Sequence, residues 1–388
     1  MTDAPHALRG AAAIVGVGLA GCGEAPGFSH FELLAQAVDV ALADAGVDLH
    51  DVDGLFTATL TNFMPALAVA EYLGLRPAVV DGTNVGGASF LQHAISAAMA
   101  LRLGLCKVAL ICYGSNQRSA AGRLVTLSQS DLPPYEAPYK PRNPIVAYAL
   151  AASRHMHLYG TTPEQLAEVA VAARAWARRN PMAYVRTPLT VDEVRASRMV
   201  CDPLTVRDCC LVTDGAGAIV MVAAERARDM RKPVAYFLGG AHATWNRQVS
   251  CIPDLTATAA QESGARAFAM AGLAPTDVDQ AQIYDAFTIN PILFLEDLGF
   301  CPKGEGGRFV EGGRIAPGGA LPVNTNGGGL SFCHPGMYGI FTLIEATIQI
   351  RGEGGGRQVD GTDVVLCHGN GGAFASQATV LLGSAATV

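Results

Sequence analysis

The chain has 388 residues, half of them hydrophobic and only 16% charged, which is apolar material for one large duplicated core or two ordinary ones. Its formal net charge is −7 and its Lys and Arg residues are scattered, so nothing in it suits a nucleic-acid partner. Ten cysteines, none in a C-x-x-C pair and several inside apolar runs, read as buried thiols in a reducing compartment and not as a disulfide framework or a metal cluster.

The first ten residues, MTDAPHALRG, lack a charged segment followed by a long apolar stretch, so no signal peptide is expected. No uninterrupted apolar run reaches the roughly 18 residues of a membrane span, and a cytoplasmic location is expected. The run AAAIVGVG (Ala11–Gly18) predicts a buried strand. FELLAQAVDVALADAG (Phe31–Gly46) carries apolar residues at helical spacing and stops at Gly46. DGLFTATL predicts the next strand, and the phrase TNVGGASF (Thr83–Phe90) follows. After it, FLQHAISAAMALRLG (Phe90–Gly104) is apolar nearly all round, as in a helix buried on most sides, and KVALICYG (Lys107–Gly114) predicts another buried strand.

The stretch from Ser115 to about Asp202 includes SDLPPYEAPYKPRNP and then TPEQLAEVAVAARAWARRN, for which Thr162 is a natural helix N-cap. Arg174, Arg178 and Arg179 form its densest basic patch and read as a solvated helix face. A segment of this length reads as an insertion over one face, the usual origin of lids and substrate walls.

The chain then repeats itself. TNGGGLSF (Thr325–Phe332) matches TNVGGASF at six of eight positions, AMAGLAPTDVD (Ala269–Asp279) echoes ADAGVDLHDVD (Ala43–Asp53), and DVVLCHGN (Asp363–Asn370) echoes KVALICYG. The order is the same in both halves, which predicts a duplicated α/β protein: residues 1–225, carrying the insertion 115–202, and residues 232–388. Alternating strands and helices predict a mostly parallel sheet covered on both faces, with the two copies of the repeated phrase each opening a central helix.

Several motifs in order carry a family resemblance: CDPLTVRDCCLVTDGAGAIVM (Cys201–Met221), YDAF (Tyr284–Phe287), CHPGMYG (Cys333–Gly339) and CHG (Cys367–Gly369). Over essentially its full length the chain resembles the thiolase superfamily, and within it the sterol-carrier-type thiolases and the cysteine-lacking aldolases of steroid side-chain degradation. The resemblance implies a thiolase fold, two α/β/α/β/α layered halves about a pseudo-two-fold axis. It places the family's nucleophilic cysteine, at the N-terminus of a buried helix where a thiol pKa is lowered, on Gly87. Asn84 and Ser89 match the flanking positions, but Gly87 cannot carry an acyl group.

Without that thiol, the resemblance implies a retro-aldol cleavage of a β-hydroxyacyl-CoA into a ketone or aldehyde and a shorter acyl-CoA. This needs a base for the hydroxyl proton, donors for the thioester oxygen and an acid for the enolate, but no covalent acyl-enzyme. The catalytic candidates are His334, Tyr338, Tyr284 and Cys367; Gly87, Asp285, His368 and Gly369 are candidates for oxyanion or substrate binding. A phenol near pKa 10 is a poor base, so a tyrosine in that role needs a neighbour that lowers it. No metal and no cofactor beyond the coenzyme A of the substrate is expected. The family implies a homodimer and a small OB-fold, zinc-ribbon partner protein. An acyltransferase using a non-standard residue, or a non-catalytic acyl-CoA-binding subunit, remain the alternatives.

Overall fold

A computed structural model describes residues 6–59, 61–121 and 134–388. Part of the Pro- and Tyr-rich segment of the insertion, residues 122–133, lies outside the described residues, as does Leu60.

Nine strands form one continuous sheet: β1 (Ala12–Gly23), β2 (Gly54–Thr57), β3 (Val79–Asp81), β4 (Val108–Ser115), β5 (Asp214–Ala223), β6 (Ala235–Thr244), β7 (Gln280–Ile283), β8 (Val364–Gly371) and β9 (Ser376–Gly383). Their spatial order is β3-β2-β4-β5-β1-β6-β9-β8-β7. In the first half β2 runs parallel to β4, while β4–β5 and β5–β1 are antiparallel. In the second half β7 runs parallel to β8, while β8–β9 and β9–β6 are antiparallel. The sequence of relations is thus repeated in mirror order across the β1–β6 seam. That seam is slight: only Ala13↔Tyr236 and Ile14↔Ala235 pair there.

The sheet is therefore mixed and not mostly parallel. Strands buried on both faces read as continuous apolar runs whichever way their neighbours run, so the pattern alone misses the direction.

Helix α1 (His30–Ala45) starts in a Ser29–Glu32 capping box and ends at Gly46, whose φ of 65° suits the left-handed stop. It lies so close over β1 that a Cβ on Gly16 would sit 2.7 Å from the Cβ of Ala45. Helix α2 (Ser89–Arg102) is buried on most sides. In the insertion, α3 (Ile145–Tyr159) and α4 (Pro163–Ala177) follow one another, α4 beginning in a Thr162–Gln165 capping box. The second half supplies α5 (Ala260–Ala271), α6 (Ile289–Asp297) and α7 (Gly339–Ile350). Helices α1 and α5 pack on the strands of their own halves, whereas α2 and α7 touch each other and strands of both halves. The halves are joined by the slight seam together with the contacts of the two buried helices with each other and with strands of the opposite half.

Two expectations change. The second copy of the repeated phrase does not open a helix: Gly328–Phe332 form a π-helical turn, Cys333 is extended, and α7 starts only at Gly339. The likeness of the phrases is one of sequence, while the helix matching α2 in place begins at Gly339, after the phrase has ended at Phe332. Arg174 is not on a solvated face: it is buried, donating to Ser331 Oγ at 2.9 Å and to the Thr187 carbonyl at 3.0 Å. Tertiary packing turned this side chain under the insertion, while Arg178 and Arg179 remain exposed.

Candidate active site

The N-terminus of α2, the start of α7 and the tips of β7 and β8 converge. A Cβ on Gly339 would meet Leu91 Cδ1 at 2.9 Å and come closer still to the Gly87 carbonyl, so the two buried helices touch through glycine. The loop before α2 is held from within: Asn84 Oδ1 accepts from Gly86 N, and Ser89 Oγ accepts from Val85 N and donates to the Gly86 carbonyl.

Gly87 has no room for a side chain. A Cβ there would lie 2.7 Å from Tyr284 Cζ, nearer still to Cε2, and 2.7 Å from the Asn370 carbonyl oxygen. The ring of Tyr284 fills the space where a side chain at position 87 would begin. A cysteine placed at Gly87, the position of the family's nucleophile, is thereby blocked.

Tyr284, His334 and Tyr338 form one buried group. The Tyr284 hydroxyl accepts from the Tyr338 backbone N–H at 3.3 Å and lies 3.1 Å from His334 Nε2. The direction of the Tyr284–His334 bond follows the imidazole tautomer: with the ring hydrogen on Nδ1, which has no hydrogen-bond partner among the described residues, the phenol donates to Nε2. The Tyr284 ring stands edge-on to both neighbours, with centroids 5.7 Å away. Tyr338 is fully buried, and its hydroxyl donates to Asn326 Oδ1 at 2.9 Å. The His334 turn is pinned by Thr213, whose Oγ1 accepts from His334 N, and by Gln117 Nε2, which donates to the His334 carbonyl. Tyr113 donates to the carbonyl of Pro335, the next residue.

Burial sets the protonation states. It pushes both phenols well above the usual tyrosine range, with Asp285 adding to the effect on Tyr338, and it pushes His334 down to about 4. Neither phenol is ionised by its surroundings; the neighbour that Tyr284 does have is the neutral imidazole of His334.

The other candidates fall into separate roles. Asp285 is fully buried and holds the π-turn, accepting from Gly329 N at 2.6 Å on Oδ1 and from Leu330 N on Oδ2. Burial raises its carboxyl to about 7 against the pull of those amides. Gly369 lies under α2, where a Cβ would meet Leu91 Cδ1 at 2.7 Å. Cys367, two residues earlier on the same face, donates to the Thr342 carbonyl at 3.5 Å, and burial pushes its thiol up. His368 is not part of the Tyr284 group. Strand alternation turns it to the other face, where its nitrogens meet Thr379 Oγ1 and Gln377 Oε1 at 3.0 Å and its ring packs edge-on against Phe294. Among the described residues no cluster of three or more His, Cys, Asp or Glu could hold a metal ion.

Neither Tyr113 nor Tyr148 stands out in the sequence, and Asn326, in the repeated phrase, both closes its loop by accepting from Gly328 N and holds the Tyr338 hydroxyl. Tyr148 of α3 reaches the β8 tip, accepting from Asn370 Nδ2 at 2.7 Å and donating to the Gly372 carbonyl at 2.8 Å. A tyrosine in a helical apolar pattern reads as core until the fold shows what its hydroxyl touches.

The family described as "Thiolase C-terminal domain-like" matches residues 241–384. A 17-hydroxy-3-oxo-4-pregnene-20-carboxyl-CoA lyase of Mycobacterium tuberculosis is 36% identical over 89% of this chain and 92% of its own. A steroid side-chain-cleaving aldolase of Thermomonospora curvata is 34% identical over 94% and 96%. An acetyl-CoA acetyltransferase of Methanothermobacter thermautotrophicus is 35% identical over 93% and 96%. Among solved structures, one described as "Ltp2-ChsH2(DUF35) aldolase" superposes with a TM-score of 0.89 at 32% identity, over 97% of this chain and 98% of its own. Human mitochondrial 3-ketoacyl-CoA thiolase shares the fold, with a TM-score of 0.73 at 14% identity over 98% and 99%.

Proposed function

The chain belongs to the thiolase superfamily, as a sterol-carrier-type thiolase-like protein, and on that footing we propose that it is an acyl-CoA lyase cleaving a β-hydroxyacyl-CoA by a retro-aldol reaction. Relatives of near-equal identity include both aldolases and an acetyltransferase, so identity alone does not separate the two chemistries. The observation that carries the choice is Gly87 with the Tyr284 ring against it. Acyl transfer by the family's route needs a thiolate there. Cys367 is a poor substitute, since burial holds its thiol protonated and its proton is engaged by Thr342.

The retro-aldol step needs only proton movement. The Tyr284 oxygen takes the proton of the β-hydroxyl while its own proton passes to His334 Nε2, 3.1 Å away. The Cα–Cβ bond breaks, the β-carbon leaves as ketone or aldehyde, and the electron pair becomes the thioester enolate. Burial makes the imidazolium so formed a strong acid, so it returns its proton through Tyr284 to the enolate carbon. The tuning that neither phenol possesses alone is supplied by the pair.

The acyl group is taken to be a steroid side chain, as the names of two relatives suggest. The working assembly is taken to be a homodimer joined along the β3 edge, with a small OB-fold, zinc-ribbon protein as second partner. The name of the solved neighbour, which pairs an aldolase with a DUF35 chain, supports such a hetero-oligomer. No helix of the described residues is long and apolar enough to cross a membrane, and a cytoplasmic enzyme is proposed.

The test is turnover. The protein, with its partner if required, should convert a β-hydroxyacyl-CoA to a carbonyl compound and a shorter acyl-CoA. Tyr284→Phe should lower the rate by about 10²–10⁴. An acylated cysteine recovered from the reacting enzyme would defeat the proposal.

A further inference from the structure

Two thiols meet beside His334, and the proposed reaction uses neither. In β1, Ala20 pairs with Ala216 and Gly23 with Asp214, so Gly21 and Cys22 together face Gly215 in a β-bulge. Gly21 and Gly23, with φ of 59° and 117°, supply the backbone turns that the bulge needs. Cys333 approaches the same place from the other side, extended between the π-turn and His334. Its Sγ lies 3.3 Å from Thr213 Oγ1 and 3.4 Å from the Asp214 carbonyl, and a Cβ on Gly215 would sit 2.7 Å from it. Glycine at position 215 therefore leaves the space in which the sulfurs meet. The Cys22 thiol reaches the Ala216 backbone and is hydrogen-bonded to Cys333.

Access to the two differs. Cys333 is completely buried, whereas Cys22 is partly exposed at the end of its strand. The bond to Cys333 and burial push the Cys22 thiol well above its usual range, so the pair is protonated and reduced at rest.

We propose that Cys22 and Cys333 are a modification site, which an oxidant of the low-molecular-weight disulfide class closes into a reversible disulfide that displaces His334 and slows the reaction. The Cys22 thiolate attacks one sulfur of the reagent and expels the other as a thiol. Cys333 then gives up its proton, attacks the Cys22 sulfur and expels the second thiol. Two protein S–H bonds and one reagent S–S bond become one protein S–S bond and two reagent thiols, with two electrons passing to the reagent. Closure draws the sulfurs to about 2.05 Å. It pulls Cys333 off Thr213 and Asp214, and with it the backbone of His334, whose Nε2 must stay within reach of Tyr284. The effect on turnover rests on the lyase reading; the disulfide itself does not.

The experiment treats the protein, with its partner if required, with oxidised glutathione. Disulfides are then mapped by peptide mass spectrometry, and cleavage of a β-hydroxyacyl-CoA is measured. In the unmutated protein the Cys22 and Cys333 peptides should be joined. Its rate should fall about tenfold or more, since a misplacement of about 1 Å at a reacting group costs up to about 10². Dithiothreitol should restore it. Cys22→Ser and Cys22→Ala should each keep their rate before and after treatment, with Cys333 unmodified. Cys251, which is exposed, should carry a mixed disulfide in all three proteins and so reports that the reagent acted. Failure of the two peptides to join while Cys251 reacts, or joining with the rate unchanged, overturns the inference. So does an equal loss of rate in the Cys22 variants. If the peptides join but neither state cleaves any thioester, the lyase reading fails while the disulfide stands.

Discussion

Each reacting side chain owes its state to burial. His334 is held near 4, below the ordinary histidine value, so the unfolded chain binds its proton first on acidification. Its contribution to stability is complete above about pH 6.5 and is lost as the pH falls through 4. Asp285 has the opposite sign: with its carboxyl near 7, its contribution is complete below about pH 3.8 and declines as the pH rises through 7. Urea melts of His334→Gln should therefore show a shallower loss of stability between pH 6.5 and 4 than the unmutated protein. Asp285→Asn keeps one acceptor for two backbone amides, so it should lose about 1–3 kcal/mol in the same melts at pH 7. Motif position pointed to His334 and Tyr284 as residues. Their mutual hydrogen bond and the seating of Tyr284 over Gly87 join positions far apart in the chain, and no local pattern encodes them.

Elements were legible where their signals are local. The caps at Ser29 and Thr162 and the stop at Gly46 follow from side chains within one turn. Thr162→Ala should lower stability by about 1 kcal/mol in a thermal melt, by removing the acceptor for Gln165 N. The repeated phrase misled at this scale because glycine-rich turns resemble one another. TNVGGASF ends inside a helix, whereas TNGGGLSF closes a π-turn whose amides bind Asp285. A sequence echo locates duplication more reliably than it assigns conformation.

For the whole molecule, the duplicated order of strands was readable, while strand direction and the thinness of the seam were not. The short edge strand β3 ends the first-half sheet with Val80 exposed, and the nearby α2 exposes Met99. An open edge beside exposed apolar side chains suits pairing with a second copy. Under the proposed homodimer, Val80→Pro should shift the molar mass seen by light scattering toward a monomer, since proline removes a ladder donor at the edge. An unchanged mass would place the subunit contact elsewhere.

The packing of Tyr284 against Gly87 also bears on how such an enzyme could change its chemistry over generations. Cysteine at position 87 alone collides with the ring, at a cost of about 1–3 kcal/mol or more. A small residue at position 284 alone discards the relay and opens a hole. Even the pair, Gly87→Cys with Tyr284→Ala, removes the ring but leaves the Asn370 carbonyl oxygen 2.7 Å from the new Cβ, so intact-mass measurements with an acyl-CoA should show no labelled thiol until that strand tip also shifts. Each single step passes through a handicapped intermediate, so the two activities are separated by an epistatic valley that one mutation does not cross.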